Sequence, residues 1–230
     1  MDPQAHPSKL PTGTRWRGAR WRGAVLNYAL QRLLIGRRND KISNIALLLI
    51  LLSWGNLFYS AGWRYLRQVA KNVLLCNGAV LECGSGATTL IVGALTAKQG
   101  RRVQVLEHNL AWFEHINGML QRVGIDHVEL VYAPLREFDG YSWYGPPADF
   151  SFAENIDLVI CDGPPSGTQG GRYGMLPLLK PHLSSRATIL LDDTHRRGEQ
   201  HILRSWRELA RFDTRRSRGL ISESTEITLG

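Results

Sequence analysis

The stretch that decides the fold is AVLECGSGATTL, residues 79–90. An apolar run of strand character reaches Glu82 and Cys83 and opens at once into Gly84-Ser85-Gly86. A bare backbone is wanted at the tip of a buried strand, where missing Cβ atoms permit positive φ and let a ligand approach the main chain. The third glycine of a dinucleotide-binding fingerprint is absent, because position 89 is Thr89.

Downstream, strands and helices alternate. RVQVLE (102–107), HVELVYA (127–133), IDLVICD (156–162) and ATILLDD (187–193) read as further strands. Between them, residues 87–98 read as a helix. So does the segment carrying Trp112, Phe113, Ile116, Met119, Leu120 and Val123. The stretch 134–154, rich in Gly, Pro and aromatics, reads as irregular, and a helix is placed near 172–180. A last helix aligns Ile202, Leu203, Trp206, Leu209 and Ala210, followed by short strand candidates at 211–217 and 222–228. Strands apolar on both faces, alternating with helices, predict an α/β fold: a doubly wound, mostly parallel, Rossmann-like sheet covered on both sides.

In such sheets ligands bind beyond the carboxyl ends of the strands, where strand order reverses. The second strand ends in Glu107, twenty-three residues after Gly84, and a carboxylate there suits the hydroxyls of a ribose. The fourth strand ends in Asp162 and the fifth in Asp192-Asp193, which brings three carboxylates to the same edge. Crowded carboxylates either share a proton or hold a cation, and an all-oxygen set suits Mg²⁺. The alternative is that Asp162 caps a turn and Asp192-Asp193 cap the helix that starts near Arg197.

LECGSGATT (81–89), together with Glu107 closing the next strand, resembles the signature of class I S-adenosylmethionine-dependent methyltransferases. The resemblance runs from about residue 54 to the end. DLVICDGPP (157–165) and ATILLDD resemble the bacterial small-molecule O-methyltransferases that include macrolide-sugar and cephamycin-pathway enzymes. The resemblance implies a seven-stranded methyltransferase sheet and an enzyme that moves a methyl group to a hydroxyl of a small molecule or sugar, with assistance from Mg²⁺. It implies cofactor binding by Glu82, Gly84, Ser85, Gly86, Glu107, His108, Pro134 and Asp162. It also implies metal ligation by Asp162, Asp192 and Asp193. Related enzymes often carry Lys or His three residues after the strand-four acid, where this chain has Pro165. His195, in DDTHRR, is the substitute base on the same rim; a cap or substrate contact is its other reading. Arg172 in GGRYG either contacts substrate or forms a structural ion pair. Tyr141, Trp143 and Tyr144 in DGYSWYGPPADF either wall the site or pack down to bury their loop.

Charge and composition bound the alternatives. The net charge is +8, with nine basic against two acidic residues in 1–41 and eight arginines against three acids in 195–218. Basic ends keep a nucleic-acid methyltransferase in view, but no Asn-Pro-Pro-aromatic base-methylation motif accompanies them. A cofactor-binding, catalytically silent, membrane-associated protein is the other alternative. An NAD-dependent dehydrogenase is disfavoured by the incomplete fingerprint. Three cysteines without a CxxC predict buried thiols in a reducing, cytoplasmic setting.

The leader, residues 1–60, reads as a basic helical N-terminal extension before a catalytic domain at 61–230. VLNYALQRLLI (25–35) puts Val25, Leu26, Ala29, Leu30, Leu33 and Leu34 on one stripe, preceded by arginines from Arg15 to Arg22. The uninterrupted apolar run Ile45–Leu52 falls well short of the ~20 residues of a membrane span. Packing on the catalytic domain, peripheral contact with a membrane surface, or contact with a second subunit of a homo-oligomer are the readings left for it.

Overall fold

The computed structural model describes residues 20–36, 43–54, 62–219 and 223–230. The arginine-rich start of the leader, the segment beyond Trp54 and the boundary between 60 and 61 lie outside the described residues.

Seven strands form one sheet in the order β3-β2-β1-β6-β7-β9-β8. The strands β1 (Ala79–Cys83), β2 (Val103–Glu107), β3 (Val128–Tyr132), β6 (Ile156–Cys161) and β7 (Leu183–Leu191) pair in parallel. β8 (Phe212–Arg218) and β9 (Glu223–Leu229) close the edge antiparallel. The chain moves outward from β1 through β2 to β3, returns to β6 on the other side of β1, and continues to β7. Strand order therefore reverses between β1 and β6, and a crevice opens at their carboxyl ends.

Strands β1 and β2 are buried and mostly apolar because both faces are covered, with Glu82, Gln104 and Glu107 as the buried polar exceptions. Val80, Val103, Val105, Leu158, Ile160 and Leu190 point into one cluster. There they meet α3 (Trp63–Leu75), α4 (Ala87–Thr96) and α5 (Leu110–Val123), which follow the helical period: Tyr65, Leu66, Val69, Ala70 and Val73 form the inner face of α3. α1 (Arg20–Gly36) and α2 (Asn44–Trp54) lie on the same side. Leu26, Ala29, Leu30 and Leu33 of α1 and Ala46, Leu47 and Ile50 of α2 are buried in that cluster, while Ile45, Leu48 and Leu52 face outward. Among the described residues no helix is long and apolar enough to cross a membrane.

The opposite face carries Leu81, Cys83, Leu106, Val159, Cys161, Ile189 and Leu191, covered by α6 (Met175–Leu179) and α7 (Arg197–Leu209). It is also covered by an element the sequence reading missed. Within the supposedly irregular stretch, β4 (Leu135–Phe138) and β5 (Tyr141–Tyr144) form an antiparallel hairpin. Its turn is Asp139-Gly140, with Gly140 at φ +82°. Of the two readings of its aromatics, packing down holds for Trp143 and Tyr144, which are buried; Tyr141 is half-buried. The helix placed near 172–180 is shorter than expected and passes into a 3₁₀ turn, Lys180–His182.

Candidate functional site

The crevice between β1 and β6 brings the glycine loop against the acidic strand ends. Cys83 and Cys161 are register partners, and the Asp162 and Gly163 N–H groups both donate to the Cys83 carbonyl, at 3.1 and 2.7 Å. One strand over, the Asp192 N–H donates to the Cys161 carbonyl at 3.2 Å. Gly84 has φ +91°, and a Cβ there would sit 2.9 Å from the Gly163 nitrogen. The loop and the strand-six turn thus touch backbone to backbone, which only glycine permits. Gly86 meets the opposite requirement: a Cβ would find nothing within 4 Å, so space is open beside it. Thr89 stands where a third glycine was sought, and its hydroxyl accepts the Gly86 N–H at 2.9 Å. A side chain there closes the loop onto the start of α4.

Glu107 organises this half. Its Oε2 accepts the Ser85 N–H at 3.0 Å and the Ser85 hydroxyl at 2.7 Å; its Oε1 accepts the Asn109 N–H at 2.8 Å. The His108 Nδ1 lies 3.2 Å from Oε1. Burial alone would raise the Glu107 pKa, but the His108 contact and donation from the Asn109 N–H and Ser85 outweigh it and hold the carboxyl below its ordinary 4.5. Two carboxylate oxygens offer about four acceptor directions; Ser85 and Asn109 take three, and His108 faces the fourth. Beneath the loop, Glu82 is fully buried and accepts the Thr88 hydroxyl, with its second oxygen unpartnered. Desolvation by burial pushes its pKa up to about 8, against the hydrogen bonds from Thr88 and Thr89. The structure therefore places Glu82 under the loop, while His108 is half-buried and Pro134 exposed on the rim beyond β3.

Two aromatic residues complete this side. The Trp112 indole N–H donates to the Ser85 carbonyl at 2.9 Å, and Trp54 of α2 packs edge-on against Trp112 at 6.1 Å. The Tyr144 hydroxyl is buried without a hydrogen-bond partner; a Cβ at Gly163 would overlap it. The sequence reading assigned Trp112 to a helix face and Tyr144 to a loop, and missed both contacts.

The other half is built from like charges. Asp162, Asp192 and Asp193 each direct an oxygen to a common point, all within 4.8 Å of one another. Arg172 reaches them from below: its guanidinium is 3.3 Å from Asp162 Oδ1 and 3.4 Å from Asp193 Oδ2, and it donates to the main-chain carbonyls of Asp162 and Asp192. Its far side is 3.7 Å from the buried Glu199. Arg172 is 2 % exposed, so of its two readings the structural ion pair holds. Asp193 sits at φ +60° and also pairs with Arg196 at 3.0 Å. Helix α7 has Arg196 as its N-cap with no side-chain cap, so neither Asp192 nor Asp193 plays the capping role.

The arginines do not balance the acids. Burial first, then the charges of Asp162 and Asp193, push Asp192 up to about 8, and its Oδ1 has no partner. Asp162 is raised as well, by burial against the opposing pull of Arg172. A cation would relieve both, and an orphaned oxygen in an all-carboxylate set fits a hard divalent ion. His195 is exposed on the turn that follows Asp193.

No family model matches this chain, and no curated protein is similar to it. Solved structures share its fold. The S-adenosylhomocysteine-bound methyltransferase PaMTH1 of Podospora anserina is 15% identical over 90% of this chain and 88% of its own, with a TM-score of 0.58. An O-methyltransferase of Bacillus cereus in complex with S-adenosylhomocysteine is 13% identical over 90% and 91%, at 0.53. Precorrin-6y C5,15-methyltransferase of Geobacter metallireducens GS-15 is 14% identical over 75% and 92%, at 0.52. At these identities the likeness establishes the Rossmann-like methyltransferase fold.

Proposed function

We propose that this protein is an S-adenosylmethionine-dependent methyltransferase that methylates a hydroxyl of a small molecule or sugar. The observation that carries this reading is the meeting, across one crevice, of a glycine loop tied to an ionised carboxylate with a cluster of three carboxylates, one of which keeps an unpartnered oxygen. The first half suits a nucleoside with a polar tail, and the second a cation with the oxygens it binds.

Gly84, Ser85 and Gly86 receive the cofactor's amino-acid end, where the open space beside Gly86 leaves room. Glu107 accepts from the ribose, whose hydroxyls take the places of the Ser85 hydroxyl and the His108 contact. His108 and Pro134 flank the base on the rim. Glu82 and Trp112 support the loop from behind. Asp162, Asp192 and Asp193 would hold Mg²⁺, with Arg172 fixing their orientation. When bound, the sulfonium supplies the methyl group and Mg²⁺ makes an acceptor hydroxyl easier to deprotonate. His195 receives that proton, and Asp162, nearest the glycine loop, aligns the acceptor with it.

The test is formation of S-adenosylhomocysteine from S-adenosylmethionine over a panel of catechols, vicinal-diol sugars and glycosides, with Mg²⁺ or with EDTA. Turnover that requires Mg²⁺ and disappears in Asp192→Asn supports the reading. Turnover indifferent to EDTA and to Asp192→Asn removes the metal from it, and transfer to nitrogen or carbon alone removes the hydroxyl acceptor.

A further inference from the structure

A second concave site opens between α7 and the antiparallel edge of the sheet. It is a groove of about 170 Å³, to which α7 contributes Gln200, Leu203, Arg204 and Arg207 and the strands contribute Thr214, Arg216 and Thr225. The pleat explains its lining. Alternation along β8 puts Phe212, Thr214, Arg216 and Arg218 on the α7 side, and the register sets Arg216 opposite Thr225 and Arg218 opposite Glu223. Phe212 and Ile227 belong to the hydrophobic cluster on this face, so one end of the interface is core. The other end is arginine.

These guanidiniums lack a matching set of acids. Arg216 is 3.8 Å from Glu223, a carboxylate that already holds Arg218 at 2.8 Å. Arg207 lies over the Phe212 ring at 4.9 Å, which orients it without neutralising it. Arg204 has no ion pair with the described residues. The other acid of β9, Glu226, faces away, accepting from Gln68 and Asn72 on the far side of the sheet. Glu208 of α7 does not line the groove. Three cations therefore border one concavity that has a single shared carboxylate beside it.

The remaining polar groups fit the same ligand. Thr214 adds a rotatable hydroxyl donor, and the Thr225 hydroxyl is turned to Thr194 at 2.9 Å. Forked guanidiniums bind tetrahedral oxyanions through paired, charge-assisted hydrogen bonds. A donor-dominated, cationic groove selects a doubly charged, three-oxygen anion over a cation or a neutral sugar. We propose that this groove binds the phosphate group of a phosphorylated small molecule.

Its inner end adjoins the rim of the carboxylate site: Gln200 donates to the main-chain carbonyls of Thr194 and His195 at 3.4 and 3.3 Å. The groove shares no residue with the carboxylate trio or the glycine loop, so the inference stands independently of methyl transfer.

The test is calorimetric titration of the full chain with inorganic phosphate and with glucose 6-phosphate, against sodium chloride at matched ionic strength. The variants are Arg204→Ala, Arg216→Gln and the double variant. Glu223 keeps Arg218 as its partner in these variants, and thermal melts confirm that they fold. The expected result is saturable binding of both probes, absent with chloride and weakened about tenfold or more in the double variant. Affinity for S-adenosylhomocysteine should not change. No saturable phosphate binding, or equal affinity in the folded double variant, overturns the proposal. Tight binding of a single-stranded RNA oligonucleotide that neither probe displaces overturns it too, in favour of a polynucleotide surface. Phosphate binding without any S-adenosylhomocysteine binding would leave this site standing and remove the methyltransferase reading.

Discussion

Two acidic environments face each other across the crevice between β1 and β6, and they are finished to different degrees. Glu107 is surrounded by donors and held ionised below its ordinary pKa. Asp192 is surrounded by burial and like charge, and is pushed up to about 8 with one oxygen unpartnered. Both residues end a strand of the same sheet, so strand position alone does not set their state. The difference is what surrounds each: Glu107 has donors on both oxygens, whereas Asp192 keeps one oxygen without a donor beside two further acids. One half of the crevice is a preformed cradle, and the other is a set of like charges held together by Arg172.

The largest way to break this comparison is to remove the charge from the unfinished half. Asp192→Asn should lower methyl transfer by about two orders of magnitude or more, because one oxygen ligand is lost from a three-carboxylate set. The same change should leave metal-free stability equal or higher, since an amide carries no charge for burial and the neighbouring acids to oppose. Activity assays and thermal melts read the two effects together; a parallel loss of both would show an ordinary structural carboxylate.

The next effect concerns the buried support under the cradle. Glu82 has a folded-state pKa of about 8 against an ordinary 4.5. The native state therefore holds its proton where the unfolded chain has released it. Its contribution to stability is fully present below about pH 4.5 and is lost as pH rises through about 8, on the order of 5 kcal/mol over the window. Glu82→Gln should flatten that part of the profile in urea titrations at pH 5 and pH 8.5. An unchanged slope would place the titration elsewhere.

Smaller still is the orphaned phenol. Removing the buried, unpartnered oxygen with Tyr144→Phe should stabilise the free protein by about 1 kcal/mol. Because that hydroxyl lies against Gly163 and Gly84, the same variant should bind S-adenosylhomocysteine severalfold more weakly. Opposite signs for the two measurements mark a group kept for a ligand. At the small end, Trp112→Phe removes one hydrogen bond to the Ser85 carbonyl and should weaken cofactor binding about fivefold, on the scale of ~1 kcal/mol.

Most of this architecture was legible because its signals are local. Parallel strands buried on both faces appear as contiguous apolar runs, and each ends in the residue that reaches the rim: Cys83 before the loop, Glu107, Asp162 and Asp192. The hairpin was less legible because LREF and YSWY are short and set among Gly and Pro. Its Asp139-Gly140 turn was nevertheless the recognised signature of a two-residue connection. The ion pair offered for Arg172 was legible, but its partners were not, for another reason. Nothing within GGRYG says that a side chain ten residues past Asp162 will fold back beneath it and reach Asp193 and Glu199. Likewise the pairing of Trp112 with the Ser85 carbonyl, and of Trp54 with Trp112, joins segments far apart in the chain. Tertiary contacts of that kind leave no periodicity.

The central claim is that the glycine loop and Glu107 form a cradle for the cofactor, and calorimetric titration with S-adenosylhomocysteine tests it most directly. Wild-type protein should bind with micromolar affinity. Glu107→Ala, which deletes the carboxylate that anchors Ser85 and to which the proposal gives the ribose, should weaken it by about a hundredfold, with a cooperative melt retained. Absence of binding by well-folded wild-type protein, or equal binding by Glu107→Ala, would contradict the account.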